Sequence, residues 1–336
     1  MSEGLFNILH SVPVVSWLVD AFARRTFFAQ FFAGETAEDS EPNVWAPLRQ
    51  QSVGVLCGYN VEAKHDGTGV PATELAEIIR ETLHSIAAVG AFGVKHSSPA
   101  DVQNGDTRCW VRTKLTGLTT DPEVLQRASY EILAKRRDHS AYYPGVPADG
   151  DWEAMMSDRL STKWKRLDKA GPPPVFSTKI DTDKSYNYGI ELGLRAILEK
   201  LDNPKAGDVA IILATHNEVS IDKAITFVEE LGLGKKQEDG SLLISDFTAN
   251  RLAFAQIYGM KDSLTNRAAA SIKAENGLPV VCKSAAYGTL DNALPNLSRR
   301  AVENKTVMEG RGGASTERKR LARELCRRWV PLYSRD

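Results

Sequence analysis

Between residues 207 and 217 the chain reads GDVAIILATHN. Residues 209–214 are apolar without a break, so a strand built from them has no polar alternate to turn toward water. Such a run asks for cover on both faces. That is the demand of a strand inside a parallel sheet flanked by helices. The run stops abruptly at Thr215, His216 and Asn217. Polar residues at the C-terminal ends of strands are where α/β architectures gather their ligands.

The rest of the chain keeps the matching rhythm. QSVGVLCGYNVEA reads as a strand, and TELAEIIRETLHSI as a helix with Leu75, Ile78, Ile79, Leu83 and Ile86 on its apolar face and Thr73 as N-cap. TRCWVRTKLTGL predicts a strand over 108–116, and DPEVLQRASYEILAKR a helix. The segment 138–174 then breaks the pattern. It holds a turn-rich YYPGVPADGD and a helical stripe of Trp152, Met155, Met156, Leu160, Trp164 and Leu167, the usual signature of core packing. Strand and helix resume with SYNYGIELGLRAILEKL, the apolar strand, and IDKAITFVEELGLG, a helix ended by Gly232 or Gly234. RLAFAQIYG and LPVVCKSAAYG are further strands; the helix NALPNLSRRAVEN and the segment ERKRLARELCRRW close the chain. Five recognisable strands, each followed by helical material, suit a doubly wound sheet or an interrupted, TIM-like (β/α)8 barrel. No GxGxxG follows any strand, which weakens the doubly wound reading.

Composition excludes some classes. A net charge of −1 over 336 residues argues against a general nucleic-acid binder. Cys57, Cys109, Cys282 and Cys326 show no CxxC spacing and read as reduced thiols rather than a zinc site. Residues 5–19 are uncharged but too short to span a bilayer and are interrupted by Pro13, so they read as a packing helix. Glu3 and the lack of Arg- and Ser-rich character give no clear mitochondrial presequence.

The polar strand ends are Asn60 and Glu62, Lys114 and Thr116, Thr215 to Asn217, Gln256 and Tyr258, and Lys283, Ser284 and Tyr287. Asn217 reads equally as a helix cap or a ligand contact. His216 reads as a hydrogen-bonding partner of a cofactor better than as a metal ligand, because the other histidines (His10, His65, His84, His96, His139) fall at no strand end. Lys114 either snorkels to the rim or places its charge over the central pocket. Arg300 lies beside the Leu294, Leu297 and Ala301 stripe of a helix that follows the last strand, and Arg299 lies farther round. By composition they are a solvated pair. By position they are a bidentate clamp for a carboxylate or phosphate.

RRTFFAQFFAGET, VGVLCGYNVEA, VRTKLTGL, PPPVFSTKIDTDKSYN, LATHNEVS, FAQIYGMKDSL and YGTLDNALPNLSRRAVENK together resemble the proline dehydrogenase family, in the family's order and most like its fungal mitochondrial members. The resemblance implies a distorted (β/α)8 barrel that uses FAD to oxidise L-proline to 1-pyrroline-5-carboxylate, with hydride passing to flavin N5. It implies that Arg299 and Arg300 hold the substrate carboxylate. Lys114, Ile257 and Tyr287 would lie near substrate and flavin, and Thr215, His216 and Asn217 would contact FAD. A quinone or respiratory-chain acceptor, peripheral contact with the inner membrane and a matrix-side location follow by the same resemblance. The expected layout is an N-terminal helical arm over 1–50 and a barrel over 51–336, with a segment foreign to the family at about 138–171.

Departures accompany the match. The family has three further βα units between the segments matching VRTKLTGL and PPPVFSTK, yet 53 residues separate Leu118 from Pro172 here. Three units at roughly 30 residues each do not fit. Ser284 and Asn296 stand where the family has tyrosines, and Arg112 stands where a small barrel-facing residue is usual. Two other readings therefore stand beside the enzyme. One is a truncated or degenerate family member that binds without turnover, and the other is a different anion-binding α/β enzyme.

Overall fold

The computed structural model describes residues 21–60, 71–121, 123–124, 127–128, 131, 178–293 and 297. Arg299, Arg300, Asn296, Glu62, Cys326, the stretch 5–19, the segment 138–171 and the C-terminal ERKRLARELCRRW lie outside these. The chain divides into two units, one of Met1–Phe28 with Leu290–Asp336, the other Ala29–Thr289. In the first, Arg24–Phe28 forms a wide helical turn in which the Thr26 hydroxyl donates to the Phe22 carbonyl. Leu290, Ala293 and Leu297 are buried there, a helical i, i+3, i+7 stripe.

The second unit runs β1 (Phe32–Gly34), β2 (Gly54–Tyr59), α1 (Ala72–Lys95), α2 (Pro99–Gln103) and β3 (Trp110–Val111). It continues with α3 (Lys179–Asp202), β4 (Ile211–Ala214), α4 (Glu218–Glu230), β5 (Gly234–Lys236) and β6 (Leu242–Ile244). β7 (Leu252–Ile257), α5 (Asp262–Ser271), β8 (Ile272–Ala274) and β9 (Val281–Tyr287) complete it. The principal sheet has the order β3-β2-β9-β7-β4, with β1 added to the end of β9, and every pairing in it is parallel. A cavity of about 430 Å³ is lined by residues 105–110 beside β3 and by 210–212 and 249–253 from β4 and β7. The edge strands β3 and β4 thus approach one concavity from opposite sides. The fold is α/β with a curled, half-barrel parallel sheet.

Several expectations change. Within the stretch expected as an N-terminal arm, β1 joins the sheet, and Ala37, Val44 and Trp45 share a core with Val55, Cys57, Val89 and Phe92. The strand expected over 108–116 shortens to two residues, since Arg108 sits at φ 45 and Leu115–Gly117 forms a 3-10 turn. The helix at 72 starts one residue ahead of Thr73, behind Pro71, so no side chain caps it. Its buried face carries Ile78, Ser85, Val89 and Phe92, while Ile79, Leu83 and Ile86 are exposed. A second sheet, β5-β6-β8, had no signal at strand length, its members being three residues each. Gly232 ends α4 with φ 72, the left-handed conformation that glycine adopts without a Cβ penalty.

The apolar strand β4 departs most instructively. Leu213 is buried under α3 and α4 with Leu252 and Phe254, but Ile212 is 44% exposed. β4 is the sheet's edge among the described residues, and one of its faces opens on the concavity. Leu213→Ala is expected to cost ~2–5 kcal/mol and Ile212→Ala less than ~1 kcal/mol. Urea-unfolding midpoints of the two variants check this.

Candidate functional site

The phase of each strand decides which residues meet. Leu213, Leu252, Phe254 and Val281 pack against the helices. Successive side chains alternate, and residues in register on neighbouring strands share a face. The concave face therefore carries Ile212 and Ala214 of β4, Ala253, Ala255 and Ile257 of β7, and Cys282, Ser284 and Ala286 of β9. From β2 it carries Leu56, in register with both Ser284 and Trp110. Alternation then places Arg112 and Lys114, which continue β3 in extended backbone, on this same side.

Arg112 is the residue that sequence alone left unexplained. Its Nη1 donates to Ser284 Oγ at 3.2 Å, reaching over β2. Gly58 makes this passage open, because a Cβ there would stand 2.7 Å from the Arg112 carbonyl oxygen and 3.3 Å from its Cβ. The two unusual residues are thus one feature: an arginine enters the concave face and a serine, not a bulkier ring, receives it. The readable signal was the alternation of Trp110, Arg112 and Lys114.

Of the expected site residues, Ile257, Lys114 and Ser284 come to this face. Tyr287 does not. It is 1% exposed on the opposite face, its hydroxyl is bonded to Ser85 Oγ at 2.7 Å and donates to the Glu81 carbonyl at 3.2 Å, and burial pushes it up to about 12. Tyr287 thus packs under α1 rather than lying on the concave face. Lys283 also points away, its Nζ held by Asp262 at 2.7 Å and the Met260 carbonyl at 2.6 Å. Gln256 links the Thr265 hydroxyl, at 3.0 Å, to the Thr215 carbonyl, at 3.4 Å.

The Thr-His-Asn stretch is engaged in its own architecture. Asn217 caps α4, accepting from the Val219 N–H at 3.2 Å, and its amide donates to Asp183 of α3 at 3.1 Å. Thr215 Oγ1 accepts the Asn217 N–H at 3.1 Å. His216 Nε2 accepts the Ile257 N–H at 3.0 Å, extending the ladder by a side chain where β4 has ended. An accepting Nε2 fixes the neutral ring with its proton on Nδ1. The triplet is thereby rigidly placed at the C-terminal ends of β4 and β7. Arg299 and Arg300 lie outside the described residues.

The buried thiols offer no nucleophile: desolvation pushes Cys57 and Cys282 up to about 12. Among the described residues no group of three or more His, Cys, Asp or Glu is placed to hold a metal ion. No helix there is long and apolar enough to cross a membrane.

Residues 162–310 match the proline dehydrogenase family model. The match takes in less than half of the chain, and within it the chain is similar to that family. Similar proteins include proline dehydrogenase 2, mitochondrial, of Arabidopsis thaliana, 32% identical over 52% of this chain and 29% of its own. Proline dehydrogenase 1, mitochondrial, of Homo sapiens is 35% identical over 46% of this chain and 21% of its own. Human hydroxyproline dehydrogenase is 32% identical over 45% of this chain and 27% of its own. The chain thus spans under a third of the length of these relatives. Among solved structures, proline utilization A from Bdellovibrio bacteriovorus, inactivated by N-propargylglycine, superposes with a TM-score of 0.54 at 14% identity, covering 83% of this chain and 32% of that one. At that identity the likeness concerns the fold.

Lys283 yields a test of the sheet's outer face. Burial, partly offset by Asp262, holds its ammonium below the ordinary 10.5. Between that lowered value and 10.5 the unfolded chain binds more protons, so this lysine makes stability rise with pH across the window. The native protein is expected to gain stability relative to Lys283→Met as pH is raised through it, read by urea midpoints. A difference independent of pH would contradict the buried, desolvated lysine.

Proposed function

We propose that the protein to which this chain belongs oxidises L-proline to 1-pyrroline-5-carboxylate with FAD. The observation that carries the reading is the concave face, which Arg112 enters to reach Ser284, the residue in register with Ile257, and on which Lys114 follows by alternation, within a fold and sequence likeness that fit the reaction. FAD fits this face by one physical criterion. Its β4, β7 and β9 positions are mostly small (Ala214, Ala253, Ala255, Cys282, Ser284, Ala286), and the exposure of Ala214 and Ile212 leaves one side accessible to a flat ring. Thr215, His216 and Asn217 would hold it. When bound, the flavin supplies the two-electron acceptor for the ring carbon beside the proline nitrogen.

The chain's own residues bind and orient. Arg299 and Arg300 would clamp the proline carboxylate, a planar fork on a planar acid that fixes direction as well as charge. Ile257 supplies apolar contact to the pyrrolidine ring and Lys114 a cation at the rim. The Arg112–Ser284 pair adds a second polar contact on the same wall, so substrate choice between proline and hydroxyproline falls on it. A quinone acceptor, a mitochondrial location and peripheral contact with the inner membrane complete the reading, supported by the mitochondrial relatives.

Folded with FAD supplied, the protein is expected to keep bound flavin and to reduce a dye when proline is added. Arg299→Lys is expected to raise KM for proline by ~10–100-fold with flavin content unchanged. A preparation that emerges colourless overturns the reading. Retained flavin without turnover would assign the chain to a binding-only member of the family. Ser284→Tyr alone is expected to displace Arg112 and lower flavin retention, whereas Ser284→Tyr with Arg112→Ala restores it and shifts the ratio of proline to hydroxyproline turnover.

A further inference from the structure

We infer that Arg112 sets the redox balance of the flavin proposed above: its guanidinium, fixed on the concave face, favours the reduced, negatively charged ring over the oxidised, neutral one. The inference rests on FAD being the group this face holds. Three contacts decide where the charge lies. The Arg112 N–H donates to the Cys57 carbonyl at 2.6 Å, so the backbone still follows the β2–β3 ladder where the side chain leaves it. Arg112 therefore keeps the phase of Trp110, toward the concavity. The side chain passes over Gly58, where an added Cβ would stand 3.5 Å from Nε. At its far end Nη1 donates to Ser284 Oγ at 3.2 Å. Ser284 is in register with Leu56 of β2 and Ile257 of β7, so the cation reaches the middle of the sheet, beside the small residues Ala255, Cys282 and Ala286. A serine hydroxyl holds the charge without cancelling it.

Reduction is what makes a fixed cation matter. A hydride carries two electrons and one proton from the substrate's ring carbon. The transfer therefore leaves one more negative charge on the acceptor. The substrate gains one positive charge at the nitrogen of its new C=N bond, lost again when that nitrogen releases its proton. In the proposed reaction the substrate carboxylate falls to Arg299 and Arg300, which leaves the Arg112 charge to act on the ring. Oxidised flavin is neutral and is held by shape and hydrogen bonds, so Arg112 adds little to its binding. The reduced ring meets a cation already in place, with no reorganisation to oppose the gain. Linkage turns a preference for the reduced form into a raised potential, about 30 mV per tenfold for a two-electron couple. Arg112 is half-buried, so water screens its charge in part, and a ~10-fold preference, or ~30 mV, is the expected size.

Equilibration of the FAD-loaded full chain with a reference dye reads the potential without turnover. Arg112→Met is expected to bind oxidised FAD within ~3-fold of the native affinity and to lower the potential by ~30 mV. Arg112→Lys keeps the charge and is expected to recover most of that shift. Ser284→Ala releases the guanidinium from β9 and is expected to lower the potential by a smaller amount. That variant decides the matter where Arg112→Met does not fold. An unchanged potential in both Arg112→Met and Ser284→Ala overturns the inference and leaves the FAD reading standing. So does a lysine variant no better than methionine, or an Arg112→Met protein that loses oxidised FAD as much as reduced FAD. A native protein that takes up no FAD overturns that reading as well.

Discussion

The described sheet depends on the parallel ladder of β9. This strand pairs with β2 along its whole length, with β7 over its first half and with β1 at its end. Without it the β3-β2 and β7-β4 pairs have no contact through the sheet. Its two faces also separate the protein's two kinds of chemistry. Val281, Lys283, Ala285 and Tyr287 turn to the helices, while Cys282, Ser284 and Ala286 turn to the concavity. One residue of slip in this register would exchange the sets, bringing a buried lysine inside and sending the serine that receives Arg112 into the apolar core.

At the strand ends, polar groups first satisfy the fold and then become available to chemistry. His216 replaces a backbone acceptor, Asn217 caps a helix, Gln256 ties α5 to the end of β4, and Lys283 fastens β9 to the loop before α5. At the opposite ends, Arg108 is buried against Asp106, with Asn250 and Asn276 completing the set. Both rims are thus braced by hydrogen bonds with little freedom. For the proposed reaction this rigidity matters, since orientation of substrate is what such a scaffold supplies.

Much of the fold was legible. The order of strands and helices, the parallel pairing and the glycine end of α4 all follow from periodicity and turn chemistry. Less legible were elements with too little sequence to show a period, such as β1, β5, β6 and β8, at three residues each. Helix α1 misled for a different reason. Apolar residues occupy two sides of its wheel, and sequence cannot say which side meets the core. Of the candidate site, Lys114 and the Thr-His-Asn stretch were readable as polar residues at strand ends, whereas Ile257 came only through the family resemblance. The Arg112–Ser284 contact was not readable, because it joins residues 172 apart across an intervening strand.

The sequence by itself determined that this chain makes a parallel α/β sheet with polar residues at its C-terminal rim, because hydrophobic period and strand ends are local properties. Tertiary structure alone decided which face of each strand looks into the concavity. A period of two defines two faces without naming the inner one. It therefore took the packing of Leu213, Phe254 and Val281 against the helices to assign Ser284 and Ile257 to the concave face, Tyr287 to the core, and Ile212 to an open edge.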